Sequence, residues 1–177
     1  MVGSAGTVST GAVEPLPELA AFCHEHNLWF HVDGAYGAFA AGLAGTPPQL
    51  KGLELADSVA VDPHKWLYAP LEAGCALVRD ASALRNAFSY HPSYYSFEGE
   101  GINYYDMGPQ NSRGLRALNV WLALQQAGAA GYREMIQDDI ALARYLYDLA
   151  VDHPEMEAIT HNLSITTLRY VPPELYA

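Results

Sequence analysis

Residues 28–37 read Leu-Trp-Phe-His-Val-Asp-Gly-Ala-Tyr-Gly, and they give a strong indication of the fold. Its first five residues form a short, mostly apolar run, which is typical of a buried strand in a parallel sheet. Asp33 then places a carboxylate where the strand ends, and small residues follow it. Open α/β sheets bind ligands at the carboxyl ends of their strands, so Asp33 is a candidate binding residue. The alternative is an ordinary Asp in a turn after a strand, which is common.

The elements on either side of this stretch alternate between helix and strand. Upstream, two prolines suit a first helical turn, and an apolar stripe around Phe22 predicts a helix that ends near Asn27. Downstream, the short apolar runs 56–61 and 74–78 predict further strands, and residues 80–88 predict a helix capped by its first residue, an Asp. With a strand at the start of the chain, this order predicts an α/β fold with a mainly parallel sheet and flanking helices.

The second half departs from this alternation. Residues 89–112 hold Tyr, Ser, Gly, Asn and Pro without a sustained period, and a loop of this length is usually functional or disordered. Helical periodicity then predicts helices over about 113–126 and 132–151, with glycines between them. Residues 163–171 have strand character. Because the chain opens directly on one strand and closes soon after another, we expect it to be a piece of a longer protein.

Composition and charge exclude several classes of function. Of the 177 residues 50% are hydrophobic and 16% are charged, so a buried core is expected. A formal net charge of −11 gives no basic footprint for nucleic acid. The weakly polar run 35–45 is too short to span a bilayer, and no signal-peptide pattern opens the chain. We therefore expect a soluble, cytoplasmic protein with neither a nucleic-acid nor a membrane partner.

A lysine after another predicted strand is the second candidate residue. Residues 61–67 read Val-Asp-Pro-His-Lys-Trp-Leu, and Lys65 is one of two lysines in the chain. A lysine in a dry pocket has a lowered pKa, so its neutral amine can form an imine with a carbonyl. The alternative is a surface lysine that extends from a strand end into solvent. Together, Asp33 and Lys65 supply what pyridoxal 5′-phosphate (PLP) needs, namely a charge partner for its ring nitrogen and an amine for its aldehyde.

These residues belong to a set of motifs that resembles a known family, the PLP-dependent group II amino-acid decarboxylases, which include the aromatic amino acid and glutamate decarboxylases. The resemblance rests on the order and spacing of four stretches, Gly6-Thr7-Val8-Ser9-Thr10-Gly11-Ala12-Val13-Glu14-Pro15, residues 31–37, Ala56-Asp57-Ser58 and Pro63-His64-Lys65-Trp66. It continues through Ser112-Arg113 and Leu118-Asn119-Val120-Trp121, and so covers nearly the whole chain. It implies the aspartate aminotransferase-like fold, called fold type I.

The resemblance implies roles for individual residues around the cofactor. Lys65 matches the lysine that holds PLP through a Schiff base, and His64 matches its neighbour near the cofactor phosphate. Asp33 matches the partner of the pyridine nitrogen. Ala35 matches the small residue packed on the ring, and Thr7 matches a residue that lines the same pocket.

The aperiodic loop also has a counterpart in the family. Its residues His91-Pro92-Ser93-Tyr94 resemble the mobile catalytic loop, which implies that Tyr94 donates a proton to the substrate Cα. Tyr95 is an alternative donor, because an aperiodic loop permits a shift of one residue. Family active sites lie at a dimer interface, so the resemblance further implies a homodimer that acts on a small-molecule amino acid.

The resemblance also divides the chain and identifies departures from the family pattern. Residues 1–126 correspond to the C-terminal part of the large PLP-binding domain, with the mobile loop at about 89–112, and residues 127–177 to a connecting helix and the start of a small C-terminal domain. We expect the family's upstream half, with its phosphate-cradling loop, to be absent. Asp62 stands where some members have Asn, which would put a carboxylate near the phosphate.

The implied reaction of the intact parent enzyme is decarboxylation of an L-amino acid to the amine and carbon dioxide. Two alternatives stay open. A PLP-dependent aminotransferase or lyase of the same fold also needs an Asp and a Lys, and a non-catalytic truncated fragment would neither bind the cofactor nor turn over. We expect no metal, because His24, Glu25 and His26 do not have the spacing of a standard metal site.

Overall fold

The computed structural model describes residues 1–94 and 101–176, and a four-stranded sheet forms its first half. The strands lie side by side in chain order, as β1 (Val2–Ser4), β2 (His31–Asp33), β3 (Ser58–Val61) and β4 (Cys75–Val78). The first three are parallel, and β4 runs antiparallel to β3. The predicted α/β class with a mainly parallel sheet is confirmed.

Two predicted helices flank this sheet. Helix α1 (Leu16–Glu25) crosses from β1 to β2 with a proline in its first turn, and α2 (Ala81–Phe88) follows β4. The Asp80 carboxylate caps α2 by accepting a hydrogen bond of 2.9 Å from the Ser82 N–H, as predicted. This bond satisfies one of the N–H groups that the first helical turn leaves without a partner.

Strand β2 is shorter than the predicted run, because a side chain takes over the hydrogen bonds at its start. The Phe30 N–H donates to the Asp57 carboxylate at 2.7 Å, and the Asp57 N–H donates to the Phe30 carbonyl at 2.8 Å. Residues 28–30 are therefore held beside the sheet without forming ladder pairs. Short 3-10 helices fill the connection from β2 to β3, at Gly37–Gly42, Pro48–Leu50 and Leu53–Leu55.

The second half is a long helix followed by a hairpin. Helix α3 (Arg116–Asp152) replaces the two predicted helices, and Gly128 (φ 64°, ψ 174°) is the non-helical residue that joins its two parts. A left-handed φ of this kind is accessible to glycine at little cost. Strands β5 (Met156–Asn162) and β6 (Ile165–Tyr170) form an antiparallel pair. The prediction missed β5, since Glu, Thr, His and Asn interrupt its apolar residues.

One buried core joins the sheet to α3 and the hairpin. Its members include Phe30 and Val32 from the sheet, Ile136 from α3 and Leu163 from the hairpin turn. Among the described residues, no helix combines the length and the apolar character that a membrane crossing requires. The division of the chain at residue 126 stays a prediction.

Replacing Phe30 with alanine should test how far stability depends on this core. Phe30 is 1% exposed, so its truncation leaves a cavity and should lower the free energy of unfolding by about 3–5 kcal/mol. Phe22 is 44% exposed on α1, and Phe22→Ala is the matched control with a loss of about 1 kcal/mol. Urea unfolding, followed by circular dichroism, measures the free energy of unfolding of both variants. Equal losses would contradict a core centred on Phe30.

Candidate active site

A cavity of about 470 Å³ opens at the carboxyl ends of β1 and β2. Four of the site residues predicted from the sequence line this cavity, namely Thr7, Asp33, Ala35 and Lys65. The other lining residues are Ser4, Gly6, Val8, Tyr36 and Ile165. The fold therefore brings together groups from four separate segments of the chain.

Close backbone contact between two loops shapes this cavity. The Ala5 N–H donates to the Asp33 carbonyl at 2.8 Å, and the Gly37 N–H donates to the Ala5 carbonyl at 3.0 Å. A Cβ atom on Gly37 would lie 2.3 Å from that carbonyl oxygen, so only glycine permits this approach. Thr7 is fixed beside them, since its Oγ1 accepts a hydrogen bond of 3.1 Å from the Ala12 N–H.

Asp33 and Ala35 form a small turn at the end of β2. The Asp33 Oδ1 atom accepts a hydrogen bond of 3.1 Å from the Ala35 N–H, which orients an otherwise exposed carboxylate. The Ala35 carbonyl in turn accepts a hydrogen bond of 3.1 Å from the Asp62 N–H. This bond links the Asp33 turn directly to the segment that carries Lys65.

Lys65 lies in a turn and forms an ion pair with a nearby carboxylate. Its N–H donates to the Asp62 carbonyl at 2.9 Å, and its Nζ lies 2.9 Å from Asp62 Oδ2. The lysine side chain is 45% exposed, so it does not occupy the dry pocket that the sequence led us to expect. The Asp62 carboxylate, expected near a phosphate, instead contacts the amine.

A second cavity, of about 650 Å³, lies beside Lys65 and also reaches α3 and the hairpin. Trp66 and Tyr36 stack there, with ring centroids 4.7 Å apart and an interplanar angle of 20°. The Trp66 Nε1–H donates to Asp139 Oδ2 at 2.7 Å, and the Tyr68 hydroxyl donates to the same oxygen at 2.5 Å. Sequence reasoning missed Asp139, which is 73 residues from Trp66 and belongs to no motif.

The Tyr36 ring is also tied to the hairpin. Its hydroxyl lies 2.5 Å from the Ser164 Oγ and accepts a hydrogen bond of 2.9 Å from the Ser164 N–H. Burial raises the pKa of Tyr36, and the hydrogen bonds with Ser164 oppose this effect in part. Tyr36 therefore connects the Asp33 turn with the β5–β6 hairpin.

Two of the predicted site residues, His64 and Tyr94, lie away from the cavity that Lys65 and Asp33 share. The His64 Nδ1 lies 2.6 Å from the Ala73 carbonyl oxygen and 3.2 Å from the Ala73 nitrogen, so the backbone of Ala73 holds the imidazole ring. Tyr94 lines a different cavity, of about 330 Å³, together with Phe88 and Tyr105. Tyr95 lies outside the described residues. The roles of His64 and Tyr94 stay predictions.

A polar cluster links the start of the aperiodic loop to its second half. The buried Asp106 carboxylate lies 2.9 Å from the His91 Nε2, and it accepts a hydrogen bond of 3.1 Å from the Ser89 hydroxyl. The loop that carries Tyr94 is therefore closed at its base, within the described residues on each side.

Comparison with known proteins places this geometry in a family. The model of the pyridoxal-dependent decarboxylase conserved domain matches residues 1–170. An aromatic-L-amino-acid decarboxylase of Bacillus atrophaeus is 39% identical over 99% of this chain and 38% of its own length. An aspartate 1-decarboxylase of Aliivibrio fischeri is 34% identical over 100% of this chain and 32% of its own length.

The solved structures agree on the fold. The crystal structure of Oryza sativa TDC with PLP and tryptamine superposes with a TM-score of 0.89 at 30% identity, over 96% of this chain and 36% of that one. These neighbours share the fold type I architecture, so the fold inferred from the motifs is confirmed. The chain spans about a third of the length of the relatives it matches.

The hydrogen bond from Tyr68 to Asp139 predicts a pH-dependent contribution to stability. Asp139 raises the pKa of Tyr68 to about 12, mainly because the hydrogen bond is lost when the phenol ionises. Since the folded-state pKa lies above the unfolded value of about 10, the contribution is complete below pH ~10 and is lost as the pH rises through ~12. Ultraviolet titration should resolve a phenol that ionises near pH 12. This titration should be absent in Tyr68→Phe, and its pKa should be lower in Asp139→Ala. A titration curve unchanged by Asp139→Ala would contradict this assignment.

Proposed function

Because this chain belongs to the pyridoxal-dependent decarboxylase family, we propose that it binds PLP through Lys65 and serves the decarboxylation of an L-amino acid to the amine and carbon dioxide. One observation carries the proposal, namely that Lys65, Asp33, Ala35 and Thr7 line a single cavity. The similar Oryza sativa structure is described with PLP and tryptamine, which supports the choice of cofactor.

The cavity residues fit PLP chemically. An amine, a carboxylate, a hydroxyl and a small apolar side chain converge on a volume of about 470 Å³, and small-molecule sites measure about 300–1,000 Å³. Lys65 would hold the aldehyde, Asp33 would face the ring nitrogen, and Ala35 would leave space for the flat ring. When bound, PLP supplies an electron sink for the bond that breaks at the substrate Cα.

The residues of the chain would orient this group and hold protons. The negative charge of Asp33 would keep a proton on the pyridine nitrogen, because a carboxylate stabilises a cation beside it. Asp62 must release the Lys65 amine before that amine can bond to an aldehyde, since the two groups are now paired at 2.9 Å. We place His64 near the cofactor phosphate, because it directly precedes Lys65 and the Ala73 backbone fixes its ring.

Tyr94 would donate the proton that Cα receives after carbon dioxide leaves. Its phenol lines a separate cavity, so it can act only after the loop rearranges or at the site of a second copy. Closing such a loop would also exclude water from the reacting groups. Tyr95 stays an alternative donor.

A homodimer is part of the proposal. Leu118, Trp121 and Leu122 are 46%, 55% and 52% exposed and lie three or four residues apart on α3, so they form an apolar stripe. Stripes of this kind often mark a protein interface. We also propose a cytoplasmic location, which the unpaired thiols of Cys23 and Cys75 support.

The substrate is proposed only as an L-amino acid. The relatives include both an aromatic-L-amino-acid decarboxylase and an aspartate 1-decarboxylase, whose substrates differ in side-chain charge and size. A screen of aromatic and acidic L-amino acids that measures carbon dioxide beside keto acid would separate decarboxylation from transamination.

The first test is covalent trapping of PLP on the lysine. Incubating the 177-residue chain with PLP and then borohydride should give a reduced adduct on the Lys65 peptide, detected by mass spectrometry. Lys65→Ala should abolish the cofactor absorbance band, because its only remaining lysine, Lys51, lies outside the cavity. Lys51→Ala is the matched control and should keep the band. A reducible band retained by Lys65→Ala would overturn the assignment.

Tyr94→Phe tests the proton donor. The variant should trap PLP on Lys65 as the unaltered chain does, while amine formation falls by about 10²-fold or more, as expected when a general acid is removed. Tyr90→Phe is the control, because Tyr90 and Tyr94 are 77% and 78% exposed in the same loop. Amine release is measured by chromatography. An unaltered amine yield in Tyr94→Phe would remove this residue from the mechanism and direct attention to Tyr95.

A further inference from the structure

The segment that carries Lys65 is held by a carboxylate from a distant helix. Asp139 accepts hydrogen bonds from Trp66 at 2.7 Å and from Tyr68 at 2.5 Å, through the same oxygen. Trp66 directly follows Lys65, and Tyr68 lies three residues after Lys65. One carboxylate on α3 therefore restrains the chain immediately after the lysine.

The backbone of this segment shows why a restraint is needed. Tyr68 has a φ of 52°, in the left-handed region that bulky side chains rarely adopt. Its N–H donates to the Lys65 carbonyl at 3.2 Å and so closes the turn that begins at the lysine. Such a conformation persists only where its surroundings impose it. The phenol of Tyr68, held by Asp139, provides that constraint.

Helix α3 is itself firmly seated, so Asp139 is a fixed reference point. Arg133 donates through Nε to the Gly42 carbonyl at 2.8 Å, and Ile136 is 3% exposed in the core that also contains Trp66. Residues 133, 136 and 139 are spaced by three and therefore lie along one face of the helix. Along this face, Arg133 reaches the Gly37–Gly42 helix and Asp139 reaches the segment that carries Lys65.

Trp66 transmits this restraint to both sides of the cofactor cavity. It is 4% exposed, and its ring stacks on Tyr36, which follows the Asp33 turn. Fixing the indole therefore fixes Lys65 through the backbone and the Asp33 turn through the stack. The ion pair with Asp62, by contrast, is local to the lysine turn.

We propose that Asp139 is a positioning residue for Lys65, which acts through Trp66 and Tyr68 to aim the lysine amine at the cavity that Asp33 lines. The inference rests on the proposed role of Lys65 in holding PLP. Asp139 takes no part in the chemistry, and its effect is on how quickly and in what orientation the amine captures an aldehyde.

The test measures PLP capture by Lys65 relative to Lys51 in the same chain, by borohydride reduction and peptide mass spectrometry. In Asp139→Ala the rate of Lys65 adduct formation should fall about tenfold or more, because displacing a reacting group by about 1 Å can cost 10²-fold. Lys51 labelling should not change. Asp138→Ala is the matched control, since Asp138 is an exposed neighbour on the same helix, and it should label as the unaltered chain does.

A second readout separates positioning from general destabilisation. The circular dichroism of the cofactor band, expressed per bound PLP, reports a fixed orientation and should weaken in Asp139→Ala at temperatures where the variant is folded. Tyr68→Phe removes one hydrogen bond from a 54% exposed side chain and should show a smaller fall in both readouts. If Asp139→Ala fails to fold, Tyr68→Phe becomes the deciding variant. Unaltered PLP capture and unaltered dichroism in Tyr68→Phe would then overturn the proposal.

The same experiment distinguishes this inference from the proposed function. If the unaltered chain forms no Lys65 adduct with PLP, the cofactor assignment fails, and an amine-acylating reagent then reports the Lys65-to-Lys51 reactivity ratio without a cofactor. A ratio that Asp139→Ala leaves unchanged would overturn the positioning role. Normal PLP capture with only a lower unfolding temperature in Asp139→Ala would also overturn it.

Discussion

The parallel register of the first three strands is the constraint on which the rest of the structure depends. Ser4 pairs with Asp33, and Asp33 pairs with Ala60, so the three strands end at one level. The loops that follow these three parallel strands therefore leave from the same edge of the sheet, which is where open α/β sheets bind ligands. Thr7, Asp33 and Lys65 meet in one cavity for this reason, although the chain separates them widely.

Local pattern and motif order anticipated much of this arrangement. The apolar run before Asp33 marked a strand, Asp80 marked a helix cap, and the motifs identified four residues that line the cavity. Apart from β5, what escaped prediction depends on contacts distant in sequence. The Asp57 carboxylate shortens β2, and Asp139 reaches Trp66 from 73 residues away. Neither carboxylate shows a periodicity or a spacing that could reveal its partner.

The ion pair between Asp62 and Lys65 is better suited to orienting the amine than to holding it permanently. The two side chains are 26% and 45% exposed, and pairs with such access to water contribute only about 0–1 kcal/mol. Separating them therefore costs little compared with the bond that an aldehyde would form with the amine. An Asp at this position therefore gives the lysine a counter-ion that a ligand could displace at little cost.

Burial divides the proposed site into a buried part that fixes the backbone and an exposed part that would react. Trp66 and Ile136 are 4% and 3% exposed, and they fix the turn and the helix behind it. Lys65 and Asp33 remain exposed, because removing a charge from water is costly and, even for a paired group such as Lys65, the attraction of its partner need not repay that cost. A carboxylate for a ring nitrogen and an amine for an aldehyde can lose their water only when a ligand replaces it. In the proposed site, the orientation of these groups would come from what lies behind them, the buried Trp66 ring and the Asp139 carboxylate that reaches it from α3.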